Sequence, residues 1–258
     1  MKGLLKLTGI FFLAASGLAV CMLMNARQRN VRFHELEVAD ETDDRKKLTV
    51  LFISDIHRRV IDKRLLKKIK KHGWLDVIII GGDLAERGVP IQRVEQNVRE
   101  LAVLGKSLYY IWGNNDREVG ETSIRDIVAK YNGIILDNMN VPIPEHPDWC
   151  IVGTDDPSSK NVDVHSAMGG TDQFEHILVA THTPSLFRKI KDYANPTIMM
   201  AGHTHGGQIR FGPFGLHDKG AFTIQNRSAQ LISNGYGTSL LPLRLGAPPE
   251  CHILHIYY

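Results

Sequence analysis

The chain predicts an α/β fold in one domain behind an N-terminal apolar segment. Through residue 131, short runs of buried-strand character alternate with amphipathic helical stretches, the pattern of βαβ units. Beyond that point strand-like runs predominate and helical ones thin out. The 258 residues, 43% hydrophobic and 23% charged, suffice for one large core and leave little room for a second.

The first element is apolar. Residues 7–24 carry no charge, with Lys2 and Lys6 before them and Arg27, Arg29 and Arg32 after. These 18 residues just reach the length of a bilayer-spanning helix, and an ordinary buried helix would show a polar face. Gly17-Leu18-Ala19 offers the small residues of a signal-peptidase site, but apolar chain continues through Met24, so an uncleaved anchor is expected. Cys21 follows Val20, a poor fit to a lipoprotein cleavage site. Positive charge is nearly balanced across the segment. The short basic tail favours the cytoplasm and places the catalytic domain outside. Residues 1–32 are therefore expected to form an anchor with a juxtamembrane segment at the cell membrane, and 33–258 the domain.

Residues 48–54, 76–81 and 108–112 are short, apolar and β-branched or aromatic, as buried parallel strands are. Helices are expected near 62–72, 90–104 and 121–131. The first would turn Leu65, Leu66 and Ile69 inward and a lysine-rich face outward. Such a face is usually solvated, although it could also meet anionic headgroups or guide an anionic substrate. Further strands are expected at 150–153, 176–181, 197–202, 230–233 and 251–257. Alternation alone does not choose between a doubly wound sheet and a sandwich.

Five motifs end these strands: Asp55-Ile56-His57, Gly82-Asp83, Gly113-Asn114-Asn115-Asp116, Thr181-His182 and Gly202-His203-Thr204-His205-Gly206-Gly207. Gly-Asp and Gly-Asn are common turn dipeptides, so each motif alone says little. Together they bring Asp, Asn and His to one place with no thiolate, a donor set for Mn²⁺, Fe²⁺ or Zn²⁺. Seven candidate ligands exceed what one ion can use while keeping a position open, whereas a bridging carboxylate such as Asp83 would let two ions share them.

This ordered set resembles the calcineurin-like metallophosphoesterases, binuclear-metal hydrolases of phosphate esters. Gly202 through Arg210, Gly153-Thr154-Asp155-Asp156-Pro157, Pro242-Leu243-Arg244 and Pro249-Glu250 look like a bacterial branch of membrane-tethered or exported members. The resemblance covers the chain from about Phe33 onward. It implies a four-layer β-sandwich of two mixed sheets flanked by helices, with a binuclear metal site at the sheet edge. It also implies Asp55, His57 and His205 on one metal, Asn114, His182 and His203 on the other, and Asp83 bridging. Mn²⁺ is the first expectation for both ions, and a hydroxide between them would attack phosphorus in line. Asp55, Asp83, Asn114 and His203 form the implied catalytic set.

One position departs from the family pattern. Most relatives carry His after the motif asparagine, where it protonates the leaving oxygen, but this chain has Asn115. An amide has no titratable proton near neutral pH, so a general-acid contribution of about 10² to 10⁴-fold is lost unless another group supplies it. Membrane-associated hydrolases of the family that split a pyrophosphate in lipid A precursors also lack that His. Their leaving phosphate needs charge stabilisation more than a proton. The expectation is a phosphoanhydride, aryl ester or activated diester, carried by a phosphorylated small molecule or lipid. Asn115, Arg210 and Tyr236, with Phe211 and Phe214, are candidates to contact it. A second reading is a metal-binding scaffold weakened in catalysis by the loss of that His.

Charge excludes one class of partner. Five of the 31 basic side chains and none of the 28 acidic ones lie in 1–32, so the remaining chain is slightly acidic and carries no general nucleic-acid footprint. Cys21, Cys150 and Cys251 form no disulfide or zinc pattern. His72, His146, His165, His217, His252 and His255 lack motif context and read as structural or surface residues.

Overall fold

The computed structural model describes residues 2–38, 45–225 and 227–258. Helix α1 (Lys2–Ala26) leads into β1 (Asn30–Glu37). The βαβ half follows as β2 (Lys47–Ile53), α2 (Lys63–Ile69), β3 (Leu75–Gly81), α3 (Ile91–Ala102), β4 (Gly105–Ile111), α4 (Arg117–Lys130) and β5 (Ile134–Ile135). The second half runs β6 (Met139–Ile143), β7 (His146–Gly153), α5 (Val164–Met168), β8 (His176–Ala180), α6 (Leu186–Lys191), β9 (Ile198–Ala201), β10 (Ala221–Gln225), β11 (Ser228–Ile232) and β12 (Glu250–Tyr257).

Two six-stranded mixed sheets result, in the orders β1-β12-β2-β3-β4-β5 and β10-β11-β9-β8-β7-β6. Strand alternation sorts the side chains into layers. Val50 and Phe52 of β2 meet Ile151, Leu178 and Met200 of the other sheet in a core between the sheets. Leu51 and Ile53, one residue out of phase, face Leu65, Ile69, Val94, Val98 and Ile124 of the helices. The outer face of the second sheet packs Val152, Val179 and Met199 against Val164, Phe187 and Ile190. The expected four-layer sandwich is thus present.

The helices owe their placement to short-range signals. Asp62 caps α2 by accepting from the backbone N–H groups of Arg64 and Leu65, satisfying donors that the first turn leaves free. Val94, Val98 and Leu101 recur at helical spacing along α3 and are buried. Each such side chain stabilises the packing by about 1.5 to 3 kcal/mol relative to exposure.

Two features differ from expectation. Strand β1 begins at Asn30 and pairs in parallel with β12 through Asn30↔Glu250, so Asn30, Val31 and Arg32 are part of the sheet. Its polar sequence hid it, because as an edge strand it leaves most of its side chains in contact with solvent. β10, which was not expected either, is a second edge strand of only five residues, nearly all of them exposed.

Candidate metal centre

The motif residues sit where the strands of both sheets end, at one edge of the sandwich. The loops are sewn together by backbone hydrogen bonds: Asp55 N–H donates to Gly82 O, His57 N–H to Asp83 O, and Gly202 N–H to His182 O. Asp55, His57, Asp83, His203 and His205 all adopt φ between 50° and 69°. Left-handed backbone at a non-glycine residue costs on the order of 1 kcal/mol or more, and it collects at functional sites. Gly82 at φ 85° lies so close to His182 that a Cβ would stand 2.5 Å from Nδ1, which explains the glycine of that motif.

Two groups of donor atoms face each other. In the first, His57 Nε2 and His205 Nε2 lie 3.1 Å apart, and Asp55 Oδ1 is 3.5 Å from His205 Nε2. In the second, His203 Nδ1 is 2.9 Å from Asn114 Oδ1 and 3.2 Å from His182 Nε2, which is itself 3.2 Å from Asn114 Oδ1. Asp83 Oδ2 stands between them, 3.4 Å from His182 Nε2 and 3.7 Å from His57 Nε2.

The geometry fits divalent cations. Imidazole lone pairs this close repel unless a proton or cation lies between them, while ligands at adjacent positions of one ion, each ~2.0 to 2.2 Å from it, stand ~3 Å apart. The Nδ1 of His182 lies 2.9 Å from Gly81 O. A carbonyl only accepts, so Nδ1 carries the hydrogen and Nε2 keeps its lone pair toward the cluster. Burial disfavours a charged His182, but the adjacent Asp83 carboxylate outweighs it and pushes the imidazole up to about 10. Burial likewise works to raise Asp83, yet His182 and His57 hold it below the usual carboxylate range.

Residues beyond the seven hold them in place. Glu86 Oε2 lies 3.0 Å from His57 Nδ1, off the axis of a hydrogen bond but close enough to bias the ring electrostatically. Asp116 is fully buried, and its carboxylate accepts from the backbone N–H groups of Asp83, Ala85 and Gly113. Burial and the nearby Asp83 charge push it up to about 7. Ser54 Oγ donates to Asp55 Oδ2 at 2.6 Å. Arg244, also fully buried, donates to the carbonyls of Asn234, Gly237 and Ala247, and its Nη2 approaches His205 Nδ1 to 3.1 Å. None of these four was singled out from sequence. Asp116 and Arg244 stood inside recognised motifs, which was the available signal, whereas Glu86 and Ser54 had none.

The residues expected to contact substrate fare differently. Asn115 turns its amide onto Asp83, donating to Oδ2 at 2.8 Å. Tyr236 is fully buried in the core beneath α2, under the Arg59 guanidinium, so it cannot reach a ligand at the cluster. Arg210 is buried as well, and its guanidinium is spent on the carbonyls of Gly206, Pro213 and His217. An arginine beside a metal motif reads as an anion contact and a tyrosine as a ring contact, but here Arg210 braces a loop from behind and Tyr236 packs in the core. Phe211 and Phe214 are exposed.

Residues 48–207 match the model of the family described as calcineurin-like phosphoesterase. The chain belongs to that family. It is 38% identical to the uncharacterized protein YpbG of Bacillus subtilis over 98% of each chain. It is 28% identical to the uncharacterized metallophosphoesterase YkoQ of the same organism, over 88% of this chain and 90% of that one. Among solved structures, TT1561 of Thermus thermophilus shares the fold at a TM-score of 0.53 and 11% identity, covering 74% of this chain and 90% of that one. As a calcineurin-like phosphoesterase the protein is a hydrolase, and the Asp and His cluster is where a divalent metal pair fits. The family match stops at Gly207, so Arg244 and Asn234, which support the centre from behind, come from the segment beyond it.

Proposed function

We propose that this phosphoesterase hydrolyses a phosphoester or phosphoanhydride of a lipid- or envelope-linked substrate. Asp55, His57 and His205 would hold one divalent ion and Asn114, His182 and His203 the other, with Asp83 shared. Mn²⁺ is the first choice and Fe²⁺ or Zn²⁺ the alternatives. The observation that carries the reading is Asp83 Oδ2, which lies within reach of a histidine nitrogen from each group. Ions bound there lower the pKa of water and neutralise phosphoryl oxygens.

The chain's own contribution is orientation. Gly81 fixes the His182 tautomer, Asp116 fixes the backbone that presents Asp83, and Asn115 grips the Asp83 carboxylate. With an amide where relatives carry imidazole, the leaving oxygen has no acid at that position. Substrates whose leaving group departs as an anion, such as phosphoanhydrides, aryl esters and activated diesters, are therefore favoured.

Segment Lys6–Ala26 is long and apolar enough to cross a membrane, and we assign it as a single-pass anchor with the catalytic domain outside. A substrate panel assayed separately with Mn²⁺, Fe²⁺, Zn²⁺ and Mg²⁺ tests the chemistry. Extraction with alkaline carbonate tests the anchor, since a spanning helix stays in the pellet. Protease treatment of intact cells tests the orientation, because only an outside domain is digested without lysis.

A further inference from the structure

Beside the metal centre the surface is apolar in a way that packing does not require. Phe211, Phe214, Leu216, Leu240 and Leu241 are all exposed, Leu216 and Leu240 at 88% and 89%. They occupy two braced loops. Phe211 and Phe214 exchange backbone hydrogen bonds, Arg210 donates to Pro213 O and His217 O, and Gln208 donates to Ser239 O and Leu241 O. A cluster of large apolar side chains held outward needs a cover.

Its position says what covers it. Arg244 N–H donates to Met22 O of α1, and Met22 and Ala26 are buried while most of the preceding helix is exposed. Met22 lies four residues before the end of the apolar segment, which is ~6 Å along a helix axis. The loop carrying Leu240 and Leu241 therefore meets α1 within its apolar stretch. On the other flank, Arg29 pairs with Asp62 and accepts from Lys68 through its carbonyl. That contact sets α2, with exposed Lys63, Arg64, Lys67 and Lys68, beside the same helix end. Apolar loops and a basic helix around one helix exit match acyl chains and anionic headgroups.

We infer that this face is a bilayer-docking surface: the 211–216 and 239–243 loops enter the acyl boundary, α2 rests on anionic headgroups, and the metal centre opens at headgroup level. Phosphate-bearing amphiphiles already in the membrane are then the class of substrate delivered to it. The loops join the centre directly, since 211–216 follows the His203 and His205 motif and Arg244 touches His205. The inference rests on α1 spanning the bilayer, and its test separates the two.

The full chain is reconstituted in vesicles of phosphatidylcholine and phosphatidylglycerol, with or without brominated acyl chains, carrying one of Phe214→Trp, Leu240→Trp, Leu13→Trp or Tyr193→Trp. Leu13 lies within α1, and Tyr193 is exposed just before the start of β9, at the edge opposite the metal centre. Bromolipid should quench the added fluorescence of Phe214→Trp and Leu240→Trp as it does that of Leu13→Trp, and leave Tyr193→Trp unchanged. Quenching of Leu13→Trp alone would overturn the docking face and leave the anchor standing. Absence of quenching at all four positions would overturn both.

Discussion

Asn115 holds Asp83 with two hydrogen bonds, its backbone N–H to Oδ1 and its side-chain amide to Oδ2, both at 2.8 Å. Asn115 thus grips the carboxylate proposed to be shared by two ions. A neutral amide can orient that carboxylate but cannot protonate a leaving group.

Replacing it tests the consequence. Asn115→His should raise turnover of alkyl phosphate esters by roughly 10-fold to 10²-fold and leave aryl esters and pyrophosphates little changed. The native protein should show a steep fall in rate as leaving-group pKa rises. A shallow dependence, with no selective gain in the variant, would show that another group delivers the proton.

Glu86 is predicted to act through His57, whose Nδ1 lies 3.0 Å from its carboxylate. Glu86→Gln should weaken binding of one of the two metals by about 10 to 100-fold, the usual effect of losing such a partner. Competition titration against a chelator reads this. Equal affinities in variant and native protein would remove Glu86 from the centre's support.

Arg244→Met should destabilise the fold by about 3 kcal/mol or more, because it strips hydrogen bonds from several buried carbonyls at once. Burial pulls the guanidinium down only to about 10, so it stays charged at neutral pH. Urea unfolding in detergent gives the number. A shift of the midpoint too small to detect would contradict the bracing role.

The sequence made the inner elements legible and the edges obscure. Residues 48–54, 76–81 and 108–112 lie buried on both faces as β2, β3 and β4, so their apolar runs announce them. β1 and β10 are edge strands, the first largely polar and the second only five residues long, and neither carries a long buried apolar run. At the centre, the seven motif residues were readable because short strand-end loops present them, and the structure brings all seven together. Tyr236 and Arg210 misled because residue type, and for Arg210 nearness to a motif, do not reveal which way a side chain turns. Glu86 and Ser54 act on residues already in the motifs, and no spacing rule marks such helpers.

A pair of histidines on β1 and β12 gives a pH dependence away from the metals. His34 and His252 meet at 3.0 Å. Burial, reinforced by Arg32, pulls His34 down to about 4; burial, with His34 and Arg32 adding to it, takes His252 well below its ordinary value. Both are neutral when folded and take up protons on unfolding below about pH 6.5, so their stabilising contribution is complete above that pH and is lost as pH falls toward 4. In chelator, His34→Gln should flatten the decline of Tm between pH 6.5 and 4.5. Parallel Tm curves for variant and native protein would contradict this.

The most direct test of the central claim is turnover of an aryl phosphodiester by the full chain, measured as a function of bound Mn²⁺ per polypeptide, beside Asp83→Asn. Two ions sharing one carboxylate predict that activity appears with the second equivalent and saturates at two, and that Asp83→Asn binds less metal and loses activity. Full activity at one equivalent, or near-native turnover with two equivalents retained in Asp83→Asn, would contradict the shared-carboxylate centre.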